Sequence, residues 1–115
     1  MSHSEIDWAA ELPVAITVSG ADEKILYMNA KSAATFASDG GASLVGKDLM
    51  ACHSERSKPI IRRILETRTP NVYTIEKKGV RKLIYQAPWY RDGEAAGLVE
   101  LSIEIPWDMP HFKRG

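Results

Sequence analysis

The residues that decide the fold are 72–106, which read VYTIEKKGVRKLIYQAPWYRDGEAAGLVELSIEIP. β-Branched and aromatic residues are frequent in 72–77 and 80–90, and both segments favour strands. The residues after the second turn alternate between apolar and polar up to a proline, which is the pattern of a third strand. Lys78-Gly79 and Asp92-Gly93 supply the turns. The stretch therefore predicts a three-stranded antiparallel meander.

An earlier part of the chain predicts a second hairpin, with strands over 14–19 and 24–28. Two strands alone are marginally stable in water, so we expect this hairpin to join the same sheet. Asn29 can cap a helix over 30–38, and a stronger amphipathic helix follows over 58–66. The sequence thus predicts an α+β fold, in which several short helices pack on one face of a five-stranded antiparallel sheet.

The N-terminal residues 4–12 predict a short helix, with Ile6, Trp8 and Leu12 on one side and Pro13 ending it. Exposed apolar side chains of this kind favour an interface, and we expect a homodimer contact through them. The alternative is that Trp8 folds back on its own sheet. The predicted organisation is a helical segment (1–12), one domain (13–106) and a tail (107–115).

Composition excludes several functional classes. The chain has 115 residues, with 15 Lys and Arg against 15 Asp and Glu. This balance argues against a nucleic-acid binder and against a polybasic membrane anchor. No apolar run is long enough to span a membrane, no signal-peptide pattern is present, and the single cysteine cannot form an internal disulfide. We therefore expect a soluble cytoplasmic protein.

Three stretches together resemble a PAS domain. LPVAITVSGADEKILYMNAKSAATF (12–36) is similar to the opening of such domains, and LIYQAPWYRDGEAAGLVELSIEIP (83–106) is similar to their closing hairpin. GKDLMACHSERSKPIIRRILE (46–66) resembles a PAS subgroup with a Cys-His pair before the main helix. The resemblance covers about 12–106 and implies a sensory or interaction module. It also implies the strand order 2-1-5-4-3 and helices that can enclose a ligand.

The sequence departs from the family pattern in two ways, which change what we expect of its cofactor and of its effector. Flavin-binding light sensors of this family carry a reactive Cys three residues after a Gly, followed by Arg-Phe-Leu-Gln. Here Cys52 lies six residues after Gly46 and precedes His-Ser-Glu, so flavin photochemistry is disfavoured. Full sensors continue into an effector domain, whereas this sequence stops at Gly115, so we expect any effector to be a protein on a separate chain.

The Cys52-His53 pair is the most distinctive chemical feature. Imidazole is the commonest protein ligand of metals, and a thiolate can ligate metal or sense redox state, so His53 is a candidate haem ligand. Adjacent residues rarely face one metal together. The alternative is a pocket-wall histidine beside a small buried cysteine.

We expect a ligand cavity between the helices and the inner face of the sheet, where a phenol could orient a bound molecule. The candidate ligand-binding residues are Ile16, Met28, Phe36, Leu49, Cys52, His53, Ile60, Ile64, Tyr85, Leu101 and Ile103. The same apolar periodicity is also that of a fully packed core, so the sequence leaves both open.

The leading prediction is a sensory domain that binds a small apolar ligand or haem and signals through dimerisation or a partner protein. A ligand-free protein–protein interaction module is the alternative. Catalysis is not expected: G-x-S-x-G and phosphate-loop motifs are absent, and an enzyme using Cys52 or His53 is only a remote alternative.

Overall fold

A five-stranded antiparallel sheet organises the chain in this computed structural model, which describes residues 6–48 and 57–115. The strands are β1 (Ala15–Gly20), β2 (Ile25–Met28), β3 (Asn71–Lys77), β4 (Val80–Arg91) and β5 (Glu94–Ile105). Their order across the sheet is β2-β1-β5-β4-β3. The predicted fold class and strand order are therefore confirmed.

The helical elements lie between β2 and β3, as predicted. They are α1 (Ala30–Thr35), two 3₁₀ turns (Ala37–Asp39 and Gly41–Leu44) and α2 (Ser57–Thr67). The helix predicted over 30–38 is shorter than expected. The amide of Gly41, whose φ is +55°, donates to the carbonyl of Phe36, and this contact turns the chain away from the helix axis.

Strand register fixes which side chains share a face of the sheet. Thr17 of β1 and Gln86 of β4 both lie opposite Glu100 of β5. Because successive side chains of a strand point to opposite faces, these three residues share one face, and Ile16, Tyr85 and Leu101 form a row on the other. We call the face toward the helices the inner face and the opposite one the outer face.

The hydrophobic core lies at one end of the inner face. Its buried members are Ile25, Leu44, Ile61, Ile64 and Leu98, and Met28, Phe36 and Leu65 pack against them. In α2 the apolar stripe buries Ile61 and Ile64, while Arg62 and Arg63 remain exposed, as its periodicity predicts. Ile60 lies at the edge of this stripe, with 45% of its surface exposed.

Asn29 joins the N-terminal segment, β1 and α1. Its Oδ1 accepts from the amides of Ile16 (2.9 Å) and Ser32 (3.0 Å), and its Nδ2 donates to the carbonyls of Ala9 and Val14, each at 2.8 Å. The capping role predicted for Asn29 is thus present, together with a longer-range tie that the sequence did not suggest. Asn29 is 2% exposed; its bonds to Ile16 and Ser32 are buried, and those to Ala9 and Val14 are partly buried.

The N-terminal segment differs from its prediction. Residues 8–11 form turns rather than a helix. The carbonyl of Ala9 accepts from the Leu12 amide, which closes a turn, and also from the Asn29 side chain. The carbonyl of Ala10 accepts from the Ala30 amide, so both carbonyls bond to the start of α1 and no helix continues from the turn. Residues 1–5 lie outside the described part of the chain.

Gly97 lets two strands and an indole approach closely. A Cβ atom at this position would lie 1.9 Å from the carbonyl oxygen of Ser19 and 2.7 Å from Nε1 of Trp89. The same indole nitrogen donates to Ser19 at 2.8 Å. A side chain at Gly97 would therefore separate β1 from β5 and break this hydrogen bond.

Candidate ligand-binding site

A cavity of about 250 Å³ lies between the inner face and the segment from α1 to the second 3₁₀ turn. Its helix-side wall is mainly apolar, and its described lining residues are Thr35, Phe36 and Leu44. Its sheet-side wall mixes apolar and polar groups. The described lining residues of the sheet are Thr17, Ser19, Ile25, Met28, Tyr73, Ile75, Lys77, Lys82, Ile84, Leu98, Glu100 and Ser102.

A row of polar side chains crosses the sheet beneath the cavity. Asn71, Gln86 and Glu100 lie opposite one another on β3, β4 and β5. The Asn71 amide donates to Gln86 Oε1 at 3.0 Å, and the Gln86 amide donates to Glu100 Oε2 at 2.7 Å. Gln86 is 4% exposed, so its side chain is held by these two bonds. The row fixes the Glu100 carboxylate in the cavity wall.

The row continues into β1 and reaches α1. Thr17 lies opposite Glu100 in register, and its hydroxyl shares a 2.6 Å hydrogen bond with the hydroxyl of Ser32. Ser32 is fully buried, and its amide donates to Asn29. The cavity wall is therefore connected through α1 to the residue that holds the N-terminal segment.

Tyr73 adds a phenol to the polar groups that line the cavity. Partial burial raises the pKa of its phenol above the ordinary value of 10.0, and the nearby Glu100 carboxylate raises this pKa further because it disfavours a phenolate. The phenol therefore remains protonated at neutral pH. In that form it can both donate and accept a hydrogen bond.

An ion pair connects α1 to β5 near the same face. Lys31 Nζ lies 2.7 Å from Glu104 Oε2, with both side chains substantially exposed. The hydrogen bond from Lys31 lowers the pKa of Glu104, and the charges of Lys31 and, to a smaller extent, Lys82 lower it further. Exposed pairs of this kind add little stability, so its main effect is on local charge.

The predicted ligand-binding residues fall into four groups. Met28 and Phe36 line the cavity. Ile64 belongs to the core, and Ile60 borders a separate surface groove next to Thr69 and Asn71. Leu49, Cys52 and His53 lie outside the described residues.

The last group corrects the predicted orientation of the strands. Ile16, Tyr85, Leu101 and Ile103 lie on the outer face, because their neighbours in sequence line the cavity or share its row. The prediction took the more apolar side of each alternating strand as the inner one. Here the inner face carries part of the polar set, including Glu100 and Ser102, while the outer face is the more uniformly apolar.

The polar cavity residues were therefore missed as site candidates. The sequence contains part of the signal that could have found them, because Thr17 and Ser19 alternate with apolar residues in β1, and Glu100 and Ser102 do so in β5. In the sequence alone such residues have the pattern of a solvent-exposed face. Only the register shows that they lie beside one another and beneath helices.

The described lining encloses a space that is small for a haem, and the predicted haem ligand His53 lies outside the described residues. Pockets for drug-sized ligands occupy roughly 300–1,000 Å³, and this cavity of about 250 Å³ is below that range, whereas a haem is a large macrocycle. The described lining residues include no histidine or cysteine. Across residues 6–48 and 57–115, no group of three or more His, Cys, Asp or Glu side chains is placed to hold a metal ion.

The predicted interface residues are exposed. Ile6 and Trp8 have 81% and 66% of their surfaces exposed, and Leu12 is also exposed. In the tail, the Trp107 indole donates to the carbonyl of Gly79, which ties the start of the tail to the β3–β4 turn. Within the described residues, no helix combines the length and apolar character needed to cross a membrane.

Solved structures similar to this chain include sensor and receptor proteins. A sensory box sensor histidine kinase from Vibrio cholerae aligns with a TM-score of 0.58 at 15% identity, over 83% of this chain and 84% of that one. The Aer2 receptor from the same organism, described as a dual PAS-haem oxygen sensor, aligns with a TM-score of 0.61 at 19% identity, over 81% and 95%.

A third similar structure is a complex of VqmA from Vibrio cholerae with ligand and DNA. It aligns with a TM-score of 0.69 at 15% identity, over 91% of this chain, which spans about half (52%) of VqmA. No protein-family model matches the chain, and no curated protein matches it. At these identities the likeness concerns the fold, and the chain has the fold of a PAS domain.

Proposed function

We propose that this PAS-like domain is a sensory module that binds a small molecule in the cavity between the inner face and α1. The observation that carries the proposal is the composition of the cavity walls, mainly apolar on the helix side and mixed on the sheet side. Ligand sites typically combine an apolar lining with a few fixed polar groups. Glu100, held by Gln86, is such a group, and the phenol of Tyr73 lines the same cavity.

A chain of hydrogen bonds that begins at the cavity wall provides a route for the signal. The cavity wall at Thr17 bonds to Ser32, Ser32 bonds to Asn29, and Asn29 bonds to the N-terminal segment. A ligand that binds more tightly to one arrangement of α1 shifts the population toward that arrangement. We propose that this shift changes self-association through Ile6, Trp8 and Leu12, or changes a contact with a separate effector protein.

Proteins of similar fold support a ligand-binding role. The Aer2 receptor is described as a haem oxygen sensor, and VqmA has been solved with a ligand and DNA. For this chain we propose a smaller ligand than haem, because the cavity formed by the described residues is small. Charge balance still argues against DNA binding by this domain itself. We expect no catalysis.

A pair of cavity-filling variants tests the proposal. Ser102→Phe places an aromatic side chain in the cavity, whereas Ile103→Phe places it on the outer face, one residue along β5. Both proteins are incubated with a small-metabolite extract of bacterial cells, desalted and examined by native mass spectrometry. We expect a small-molecule adduct on the wild type and on Ile103→Phe that is lost from Ser102→Phe. An adduct retained by Ser102→Phe, or none on the wild type, would refute cavity binding.

The second candidate function is a ligand-free protein–protein interaction module. It is favoured by the apolar outer face, where Val72 is 51% exposed and Tyr85 is 36% exposed beside Leu101. Contiguous exposed apolar surface often marks an interface. Loss of self-association in Ile103→Glu, together with no adduct on the wild type, would favour this function over ligand binding.

A further inference from the structure

The two edges of the sheet differ in what lies beside them. On the free side of β2, the Ile25 amide donates to the carbonyl of Lys47 at 2.8 Å, and the Gly46 amide donates to the carbonyl of Ile25 at 2.7 Å. The segment 46–48 therefore covers that edge. Within residues 6–48 and 57–115, no segment forms backbone hydrogen bonds with the free side of β3, which is the other edge.

The turn between β3 and β4 determines which backbone groups of β3 point away from the sheet. Lys78 and Gly79 have φ values of +52° and +78°, which is the geometry of a two-residue hairpin turn. Lys77 and Val80 flank this turn and lie opposite each other. The pair that flanks a two-residue turn is hydrogen-bonded, so the backbone of Lys77 bonds to β4.

Three residues of β3 have backbone groups that point outward. β3 pairs with β4 without a register shift over 71–77, and hydrogen-bonded pairs alternate along an antiparallel ladder. Counting from Lys77, the N–H and C=O groups of Val72, Thr74 and Glu76 therefore point away from β4. The strand contains no proline, glycine or bulge, which are features that protect an edge from pairing. The free side of β3 can thus accept a further strand.

The outward residues of β3 match a second copy of the same strand in one symmetric register. With a two-fold axis at Thr74, this residue lies opposite its own counterpart, and Val72 lies opposite Glu76 of the second copy. All three outward residues then pair within the strand. An axis one residue earlier would pair Glu76 with Pro70, and an axis one residue later would pair Val72 with Lys78, and both of these partners lie outside β3.

The side chains also match in this register. On the inner face Tyr73 lies opposite Ile75 of the second copy, and on the outer face Thr74 lies opposite Thr74. Aromatic–β-branched pairs and Thr–Thr pairs both stabilise antiparallel strands. Glu76 and Lys77, the charged residues of β3, lie opposite uncharged residues of the second copy. Because the chain has 15 cationic and 15 anionic side chains, net charge does not oppose the approach of two copies.

We propose that two copies of this chain pair through β3, about a two-fold axis at Thr74, and so join their sheets into one continuous antiparallel sheet. β4 and β5 separate β3 from β1, whereas the N-terminal segment bonds to Asn29 beside β1. The β3 contact is therefore distinct from the one proposed through Trp8. Two short strands bury little surface, so we expect a weak dimer that depends on concentration. Pairing through β3 requires no ligand in the cavity.

Two opposite charge changes at Val72 test the register. Val72→Glu places a like charge opposite Glu76 of the second copy, whereas Val72→Lys places an opposite charge there. Two such pairs form in each dimer, so we expect the dimer Kd of Val72→Glu to exceed that of Val72→Lys by about tenfold at low salt. In about 1 M salt this difference should largely disappear. Analytical ultracentrifugation of the full-length proteins over a concentration series measures both Kd values.

Cysteine cross-linking tests the same register by distance. In a Cys52→Ser background, Thr74→Cys places two cysteines opposite each other with Cα atoms about 5.5 Å apart, within the range of a disulfide. The control Glu76→Cys places its two cysteines four residues apart along the strands, about 13 Å, which is too far. With oxidised glutathione as the oxidant, we expect a disulfide-linked dimer of Thr74→Cys and little of Glu76→Cys. Both positions are exposed, so we expect both variants to fold.

Each alternative outcome would overturn pairing through β3. A wild type that stays monomeric at about 1 mM would exclude the second copy and leave this edge to a strand of a different protein. Equal Kd values for the two Val72 variants, or equal cross-linking of Thr74→Cys and Glu76→Cys, would exclude the register at Thr74. A dimer that Trp8→Asp dissociates and that the Val72 changes leave unaffected would assign self-association to the N-terminal segment instead.

Discussion

Replacement of Asn29 by alanine is expected to destabilise the fold strongly. The change removes an N-cap, worth about 1 kcal/mol. It also deprives the buried Ile16 amide and the carbonyls of Ala9 and Val14 of their side-chain partner. An unsatisfied buried polar group costs about 1–3 kcal/mol, and water will reach some of these groups. We therefore expect a loss of about 3–5 kcal/mol in the free energy of unfolding.

Urea denaturation measures this loss directly, provided that the slope with denaturant is unchanged. A matched control is Asn71→Ala, which removes one side-chain hydrogen bond to Gln86 at 3.0 Å from a half-buried position. It should cost about 1 kcal/mol. Asn29→Asp keeps both acceptor contacts but points a carboxylate at the carbonyls of Ala9 and Val14, so it should be nearly as unstable as Asn29→Ala. An Asn29→Ala protein no less stable than Asn71→Ala would show that Asn29 does not organise this region.

Three further predictions concern packing, association and ionisation. Gly97→Ala should lower the free energy of unfolding by about 3 kcal/mol or more, because the added methyl group overpacks the contact between β1 and β5. The control Gly79→Ala, at a position with open space around it, should lower it by about 1 kcal/mol. Equal melting temperatures for the two variants would contradict the close approach of β1 and β5. Trp8→Asp should halve the mass measured by light scattering if the N-terminal segment forms the dimer contact, and an unchanged dimer mass excludes that contact. The pKa of Tyr73 is raised in the folded protein, so the contribution of the protonated phenol to the free energy of unfolding is complete below pH 10. This contribution is lost as the pH rises through the folded-state pKa. Glu100→Gln should therefore lower the pKa of this phenol in a tyrosine NMR titration, and a pKa that does not move would exclude the carboxylate as a cause.

The sheet could be predicted because its signals are local. Lys78-Gly79 and Asp92-Gly93 mark two turns, and the alternation in β5 continues up to Pro106. These features specify three antiparallel neighbours before any tertiary contact is considered. The order of the remaining strands came from the resemblance to PAS domains, since a hairpin at the start of the chain could join either edge of a meander.

The orientation of the sheet could not be predicted in the same way. A row such as Thr17, Glu100, Gln86 and Asn71 comes together through pairings between distant strands. Each of these residues is polar, and in a single strand a polar residue favours the solvent side. Burial of the row depends on its hydrogen bonds and on how the helices pack over it, and local sequence signals specify neither of these contacts.

The N-terminal segment shows a second limit of local reasoning. The spacing of Ile6, Trp8 and Leu12 is compatible with a helix. The structure instead uses the carbonyls of Ala9 and Ala10 as acceptors for Asn29 and Ala30. The local bond from the Leu12 amide to the Ala9 carbonyl closes only a turn, and long-range bonds hold both carbonyls where a helix would need further local ones.

The most direct test of the account locates a bound ligand relative to the two faces of the sheet. Isoleucine methyl groups lie on both: Ile25, Ile75 and Ile84 line the cavity, and Ile16 and Ile103 lie on the outer face. Intermolecular NOEs are measured from either benzylamine or toluene, whichever binds more tightly, to selectively labelled isoleucine methyls. NOEs to the cavity methyls alone are the predicted result. NOEs confined to Ile16 and Ile103, or none to the cavity methyls, would contradict ligand binding between the sheet and the helices.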